Sequence, residues 1–542
     1  ADESQQNEVE NTMSKFGRFL AASALMGAFA TSAMAEKSFD YAFQGSLKSL
    51  DPYTLRETFT LGILTNVYEG LIKRGPNLEI LPGLADSWEV IEPTRWRFHL
   101  RKGVKFHNGN DFTAEDVVFS AERLNSEGSD MKGRVPSDAT FEIVDDYTVD
   151  FILASPNPIL HYEWELWSII DKDWAETNDS VRVTSASDTA ETPISMMANG
   201  TGPFKITEHT AGVNTKFEAN ENWWNWENRE FNIDKVNFTS ISADATRVAA
   251  LLSGEMDMVY PVPTQDIKRI NSSSTLAALT GPELRTIFLG MDQRRDELLN
   301  SSVKGKNPFK DIRVRQAFFH AINAEAISSR IMRKQAAPSA LMISPFLFDN
   351  ADQFERLAYD PDKAKALLTE AGYPDGFEIR IDCPNDRYVN DESICQAVAA
   401  MMAKVGIKVN VNAQPKAQYF AKILASGGYE TSFYLLGWTP GSLDSHNIFA
   451  NLYGCRDDAG KGGMFNIGGY CNPEVDALAK EILVENDAAK RLDLVTQAYK
   501  IVTDEVGYLP LHQQGLAWGV SKDVSVAQRA DNVLRFEHIT KN

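Results

Sequence analysis

The segment Tyr434-Leu435-Leu436-Gly437-Trp438-Thr439-Pro440-Gly441-Ser442-Leu443-Asp444 joins an apolar run to a polar loop. The run from Phe433 to Leu436 predicts a buried strand in a sheet that is covered on both faces. It stops at Gly437, and in open α/β sheets ligands bind just beyond such strand ends. Trp438 could stack on an apolar group there, and Asp444 could accept hydrogen bonds or pair with a cation. The alternative is structural: Trp438 packs in the core, and Asp444 starts a loop or a helix.

Strands and helices alternate before this segment, which indicates parallel strands with helices on the faces of the sheet. The predicted order is strand, helix, strand, helix and then the strand that ends at Gly437, over residues 377–382, 392–404, 407–412 and 416–425. A second strand–helix–strand set covers residues 235–259. Because 542 residues are too many for one hydrophobic core, we expect two or three domains.

The first 35 residues have the pattern of an export signal. A short basic segment, Met13–Arg18, precedes an alanine-rich apolar segment, Phe19–Met34, and Ala33-Met34-Ala35 matches a cleavage box. We therefore expect a signal peptide over residues 13–35, cleaved after Ala35, and an upstream extension without a role in the fold over residues 1–12. The residue directly after the cleavage box is Glu36 and not a cysteine, and no later segment approaches the length of a membrane span. A soluble, exported mature chain is predicted.

The acidic composition limits the partners of the chain. Its net charge is -21, and removing residues 1–35 takes away four acidic and two basic side chains, which leaves -19. Such a surface repels nucleic acid and anionic lipid, so neither is expected to bind. Hydrophobic residues make up 43% of the chain and charged residues 24%, as in ordinary globular proteins.

The four cysteines form two close pairs in the sequence. In an oxidising compartment, Cys383–Cys395 and Cys455–Cys471 are the expected disulfides, although four cysteines permit three connectivities. A metal site is not expected, because no pair has the spacing of two to four residues and no histidine accompanies them closely.

Catalytic motifs are poorly represented. Ser301-Ser302-Val303-Lys304 matches S-x-x-K but lacks the companion motifs of that enzyme class. The sequence contains no G-x-S-x-G, H-E-x-x-H or P-loop motif, and its eight histidines are scattered. We therefore expect no enzyme activity and no cofactor, with a secreted hydrolase as the weaker alternative. His512, which follows Pro510, could face a cleft or serve a structural role.

A series of motifs gives the chain a family resemblance. They are, in order, Leu81-Pro82-Gly83-Leu84-Ala85-Asp86-Ser87-Trp88, the capped helix start Thr113-Ala114-Glu115-Asp116, Gly200-Thr201-Gly202-Pro203-Phe204, Ala245–Asp257, Pro308–Ala317, Tyr359–Tyr373 and Gly437-Trp438. The series resembles the family 5 extracellular solute-binding proteins, the peptide- and nickel-type binding proteins of bacterial ABC importers. The resemblance extends over essentially the whole mature chain in the same order.

The resemblance implies a two-lobed α/β periplasmic binding protein of the cluster C type, with an inserted third subdomain and a ligand cleft between the lobes. The expected first lobe combines residues 36–83, 201–283 and 515–542, the inserted subdomain covers residues 84–200, and the second lobe covers residues 284–514. Hinges are expected near Gly281-Pro282 and near Leu509-Pro510-Leu511.

The implied function is the capture of a small ligand by lobe closure and its delivery to a membrane ABC permease, by a monomer in the periplasm. Short peptides are the first expectation. An oligosaccharide, an opine-like compound, haem or a nickel chelate would fit the same transport role, and a ligand-presenting chemosensory or chaperone protein is a further class.

One departure from the dipeptide-binding members concerns the ligand. Three residues after the Gly-Trp pair, those members have an Asp that holds the α-ammonium group, and this chain has Gly441. Either Asp444 reaches into the cleft, or the ligand lacks a free ammonium group there. Arg387 is the nearest arginine for a ligand carboxylate, unless it pairs with Asp386 or Asp382 at the surface. The predicted ligand site comprises Trp438, Thr439, Gly441, Asp444, Arg387, Tyr388 and His512.

Overall fold

The computed structural model describes residues 36–457, 462–485 and 487–542. The predicted upstream extension and the signal peptide lie outside these residues. No helix in the described part of the chain is long and apolar enough to cross a membrane. Residues 37–542 form one compact unit, so the boundaries expected for two lobes and an inserted subdomain remain a prediction.

The strands belong to one large sheet and three small ones. In chain order they are β1 Ser38–Phe43, β2 Ile72–Arg74, β3 Ile80–Pro82, β4 Ala85–Glu92, β5 Arg95–Leu100, β6 Thr140–Asp145, β7 Thr148–Ile152, β8 Phe204–Thr210, β9 Asn214–Ala219, β10 Lys235–Ser240, β11 Met258–Tyr260, β12 Leu276–Met291, β13 Ala336–Pro338, β14 Glu378–Pro384, β15 Lys408–Gln414, β16 Phe433–Trp438, β17 Leu509–Ser521, β18 Val524–Ser525 and β19 Thr540–Lys541.

The α-helices lie between these strands and after them. They are α1 Thr58–Leu64, α2 Ala114–Leu124, α3 Lys172–Thr177, α4 Pro193–Met196, α5 Asp244–Ser253, α6 Ile267–Asn271, α7 Ile312–Ala321, α8 Ala324–Ala326, α9 Pro361–Glu370, α10 Asp391–Ala403, α11 Lys416–Ile423, α12 Ser445–Ile448, α13 Pro473–Val484 and α14 Ala488–Asp504. Several follow from local rules: Asp360 caps α9 and Pro361 takes its first position, and at α2 Thr113 and Asp116 form a capping box.

The large sheet has the order β15-β14-β16-β12-β17-β11-β1-β10-β9-β8, with β13 paired to β17. Strand β14 is parallel to β15 and β16, as the alternation of strands and helices predicted. Strand β1 is parallel to β10 and β11. We call the part with β1 and β8–β11 the first half and the part with β14–β16 the second half. The long antiparallel strands β12 and β17 join the two halves.

The two halves meet at an irregularity in β12. Pro282 pairs with Gly515 and Thr286 with Gln513, so residues 283–285 of β12 bulge opposite a single residue of β17. A bulge of this kind re-aims side chains. The expected hinge at Gly281-Pro282 adjoins it. The other expected hinge, Leu509-Pro510-Leu511, does not: Leu509 and Leu511 are buried in the core of the second half, and β17 crosses between the halves a few residues later.

A separate antiparallel sheet, in the order β4-β5-β7-β6, lies within residues 84–200, which the sequence assigns to an inserted subdomain.

Both expected disulfides are present in the structure, Cys383–Cys395 and Cys455–Cys471. The first connects the end of β14 to α10 and therefore brackets the loop that carries Arg387 and Tyr388.

Candidate ligand-binding site

A cavity with about 620 Å³ of empty space, including its open mouth, lies beyond the end of β16. Five of the predicted site residues line it: Arg387, Tyr388, Trp438, Thr439 and Gly441. Its wall also contains side chains from the bulge in β12, from the start of α1 and from the 84–200 region. The sequence did not identify these, and they include Arg56, Glu57, Arg134 and Arg285.

The end of β16 requires a glycine. Every residue of β16 is buried, and Gly437 pairs with Ile287 of β12. A Cβ atom at position 437 would lie 2.7 Å from Tyr388 Cε1 and 2.8 Å from Ile287 Cδ1, closer than Cβ contacts allow. The Tyr388 hydroxyl donates to the Gly437 carbonyl at 3.3 Å. The absence of a side chain therefore lets Tyr388 form the cavity wall against the strand end.

Trp438 serves both as core and as wall. Its indole N–H donates to Asn447 Oδ1 at 2.8 Å, and its ring centroid lies 5.0 Å from that of Phe465. The Arg56 guanidinium carbon lies 5.8 Å from the Trp438 ring centroid and 5.2 Å from that of Phe465. The packing interpretation and the ligand-wall interpretation of Trp438 are therefore compatible, because its remaining face borders the cavity.

Arg387 lies in the loop between β14 and α10, and Asp391 fixes that loop. The Asp391 carboxylate accepts the backbone N–H groups of Arg387 and Tyr388 at 3.0 and 2.9 Å. Arg387 is buried and pairs with Glu57. The alternative pairing at the surface was wrong, because Asp382 binds Lys422 at 2.7 Å and Asp386 accepts the backbone N–H of Lys416.

Glu57 connects the two halves. It caps α1, whose Phe59 ring lies 4.0 Å from that of Phe43 in the first half. Its carboxylate contacts Arg387, and Lys416 Nζ of α11 donates to it at 3.0 Å. Burial alone would raise the pKa of Glu57, but Arg387 and Lys416 outweigh that effect and hold the pKa well below its usual range.

A second ion cluster surrounds Glu163, in the 84–200 region. Arg56 donates to Glu163 at 2.8 Å, Arg134 Nε lies 3.4 Å from the same carboxylate, and Asn447 also donates to it. A Cβ atom at position 441 would lie 3.3 Å from Glu163 Cδ. The carboxylate beside Gly441 is therefore supplied by a residue far away in the sequence, and two arginines already neutralise it.

The bulge in β12 supplies the third ion pair. Arg285 Nε donates to Glu283 Oε1 at 2.8 Å and its Nη2 donates to Thr58 Oγ1 at 3.2 Å. Gln514 donates to the other oxygen of Glu283 at 2.6 Å. The irregular register of β12 and β17 thus places an arginine in the cavity wall.

Asp444 does not line the cavity, contrary to its inclusion in the predicted site. Its carboxylate caps α12 by accepting the His446 N–H at 2.8 Å, and Arg491 donates to both of its oxygens at 2.8 Å. The structural alternative, in which Asp444 starts a helix, is the one that the geometry supports. Asp444 therefore does not replace the acid that is missing at position 441.

His512 also lies away from the cavity. It is fully buried within β17, and neither ring nitrogen has a hydrogen-bond partner in the described part of the chain. Burial, with a smaller contribution from nearby Arg356, lowers the pKa of His512 to about 3. The imidazole is thus neutral in the folded protein and belongs to the strand core.

Replacement of His512 by leucine should increase stability at neutral pH by about 1 kcal/mol, because it removes two buried nitrogens without partners. It should also weaken the pH dependence. In the unfolded chain histidine binds a proton below about pH 6.5, whereas folded His512 stays neutral to about pH 3, so wild-type stability falls as the pH decreases through that range. Urea unfolding at pH 7 and pH 5 measures both effects. A matched control is His99→Leu at an exposed position. If H512L lowers the free energy of unfolding by more than the control does, the interpretation of His512 is wrong.

A metal site is not apparent: the described residues contain no group of three or more His, Cys, Asp or Glu side chains placed to hold a metal ion. The chemistry around the cavity is instead that of arginine, buried carboxylates and aromatic rings. Such a wall can bind a polar organic molecule and exclude water from it.

Comparisons with known proteins give three further findings. Residues 79–460 match the family model for bacterial extracellular solute-binding proteins, family 5 (middle). The dipeptide-binding protein of Escherichia coli (strain K12) is 29% identical over 520 residues, which cover 90% of this chain and 91% of that protein. Heme-binding protein A of Haemophilus influenzae is 27% identical over 485 residues, with 83% and 82% covered.

The fold also matches a solved structure, the periplasmic binding protein DppA of Helicobacter pylori in complex with the peptide STSA. The TM-score is 0.82 at 23% identity, and the match covers 93% of this chain and 98% of that chain. This similarity shows the two-lobed α/β fold.

Proposed function

Because the chain belongs to the bacterial extracellular solute-binding proteins of family 5, we propose that it captures a small ligand outside the cytoplasmic membrane and delivers it to an ABC permease. The chain works in the periplasm in this proposal, after cleavage of the signal peptide behind Ala35. Short peptides and peptide-like compounds are the first ligands to screen, since the relatives carry the names of dipeptide-binding and heme-binding proteins.

The observation that carries the proposal is the origin of the cavity wall. Arg56 and Glu57 precede α1 on the first half, whereas Arg387 and Trp438 belong to the second half, and all four line one cavity. The same halves are linked around it by the contact of Glu57 with Lys416 at 3.0 Å and of Arg56 with Asn451 at 3.3 Å.

A ligand in this cavity would contact both halves at once and would therefore stabilise the closed arrangement. Closure removes water, which strengthens the polar contacts of the ligand, and it creates a distinct surface that a permease can recognise. The connecting strands β12 and β17 provide the flexible joint, because their regular pairing is interrupted at residues 282–286.

The proposal is tested by combining thermal-shift screening with small-angle X-ray scattering on the mature protein. We expect one class of small molecules to raise the free energy of unfolding by about 2.7 kcal/mol at 100 times its Kd and to decrease the radius of gyration. The screen contains peptides, oligosaccharides, organic acids and metal chelates. If none of them stabilises the protein and a compound is converted into product, the chain is a hydrolase and not a binding protein.

A further inference from the structure

We propose that the cavity selects a small organic acid that carries two anionic groups and no free ammonium group. The inference rests on the proposed function, since it assumes that the cavity holds the transported ligand. It specifies the chemical class of that ligand, with carboxylate or phosphate as the anionic groups, and it excludes ordinary dipeptides.

The first observation is the unused hydrogen-bonding capacity of the arginines. An arginine side chain has five N–H donors. Among the residues that the structure describes, Arg387 is buried with its Nε against the Glu57 carboxylate, whereas its two Nη groups donate no hydrogen bond to a protein acceptor. Arg134 is also buried; its Nε lies 3.4 Å from the Glu163 carboxylate and its Nη1 donates to the Glu163 carbonyl at 3.3 Å, which leaves Nη2 without a protein acceptor among the described residues. Two buried cationic groups at one cavity thus have donors available for a ligand.

The second observation is the balance of charge. Five cations lie in or beside the cavity wall, and four carboxylates neutralise them in part. The cations are Arg56, Arg134, Arg285, Arg387 and Lys416, and the carboxylates are Glu57, Glu163, Glu283 and Asp386. The remaining excess of positive charge favours an anionic ligand. Burial raises the pKa of nearby Asp391 and of Asp130 to about 7, so each is ionised in only part of the molecules at neutral pH.

The third observation is that the arginines form two groups. Arg285 and Arg387 both approach the Tyr388 ring, with guanidinium carbons 5.7 and 4.8 Å from its centroid. Arg56 and Arg134 share Glu163 instead. The planar fork of a guanidinium group matches a carboxylate or a phosphate, so each group can receive one anion. The apolar side chains Leu61 and Leu436 also line the cavity and suit the carbon skeleton of the ligand.

An ammonium group has no suitable partner here. Glu57 already binds Arg387 and Lys416, Glu163 binds Arg56, and Glu283 binds Arg285. Position 441 is a glycine, and Asp444 is engaged with Arg491 outside the cavity. A buried ammonium ion would therefore lie among arginines without a carboxylate of its own, which disfavours it.

The test measures binding of defined probes to the full mature protein by isothermal titration calorimetry. The dianions are glutarate, N-acetyl-L-glutamate and 3-phosphoglycerate; the competitors are L-alanyl-L-alanine, its C-terminal amide, and maltose. We expect at least one dianion to bind ten times more tightly than every competitor, with an affinity that falls as salt increases. The carboxylate and phosphate probes distinguish the two anion types. Tighter binding of a competitor, or no binding of any dianion, overturns the inference.

Variants assign the effect to the cavity. Arg387→Gln and Arg134→Gln should each weaken dianion binding at least tenfold, and Arg387→Lys, which keeps the charge but loses the fork, should be intermediate. The control is Arg313→Gln, because Arg313 pairs with Asp311 at the surface. Wild-type affinity in folded R387Q and R134Q overturns the inference. If a competitor binds instead and closes the cleft, the proposed function stands; if no molecule binds or closes it, both fail.

Discussion

Substitution of Glu57 by glutamine is expected to lower the free energy of unfolding by about 3–5 kcal/mol and to open the cleft. Glutamine retains the size of the side chain, and its single carbonyl oxygen can still accept one of the two N–H groups, of Phe59 and Thr60, that cap the start of α1. It cannot neutralise Arg387 and Lys416, which are buried and would then lack a counter-ion at that point. Chemical denaturation measures the stability, and small-angle scattering without ligand measures the opening, because the two cations and Glu57 lie on different halves.

The matched control is Glu115→Gln. Glu115 pairs with Lys172 at 2.8 Å at an exposed position, where such pairs contribute roughly 0–1 kcal/mol. If E57Q lowers the free energy of unfolding no more than E115Q does, or leaves the radius of gyration unchanged, the Glu57 cluster does not hold the two halves together.

Substitution of Asp51 by asparagine should have an effect of similar size, about 3–5 kcal/mol, because it leaves Arg123 buried without its carboxylate. Arg123 donates to both oxygens of Asp51, at 3.0 and 2.7 Å, and both side chains are almost inaccessible to solvent. Asp51 also accepts the Thr184 N–H at 2.9 Å. These contacts anchor α2 and the 84–200 region to the segment after β1.

The same variant should also weaken ligand binding, since the 84–200 region supplies Arg134 and Leu166 to the cavity wall. Calorimetry on D51N at a temperature where it remains folded checks this effect. Asp296→Asn provides the control, because Asp296 is fully exposed and pairs with Lys310 at the surface. Wild-type stability of D51N would mean that the bidentate pair does not anchor the region.

The sequence predicted the parts of the fold that depend on local patterns. The apolar run ending at Gly437 is β16, and the alternation before it corresponds to β14, α10, β15 and α11 with parallel pairing. The cysteine spacing gave both disulfides. Trp438 and Arg387 were placed at the cavity by the strand end and by the family resemblance. Short-range periodicity and turn residues are sufficient for such features.

The ion clusters could not be predicted in this way, because their partners are far apart in the sequence. Glu163 and Asn447 are separated by 284 residues, and Glu57 and Lys416 by 359. No local sequence pattern predicts the three-residue bulge in β12 that brings Arg285 to the cavity wall. For Asp444, a local signal was present: an Asp directly before Ser445 is a common helix cap, and the cap is what the structure contains.

Native mass spectrometry of the mature protein purified from the periplasm tests the central claim, that the cavity holds one small ligand, most directly. We expect a fraction of the protein to carry a single small organic compound, which dissociates on unfolding and is missing from folded R387Q but present in R313Q. Protein that carries no compound, and whose compactness no added compound changes, would contradict the account.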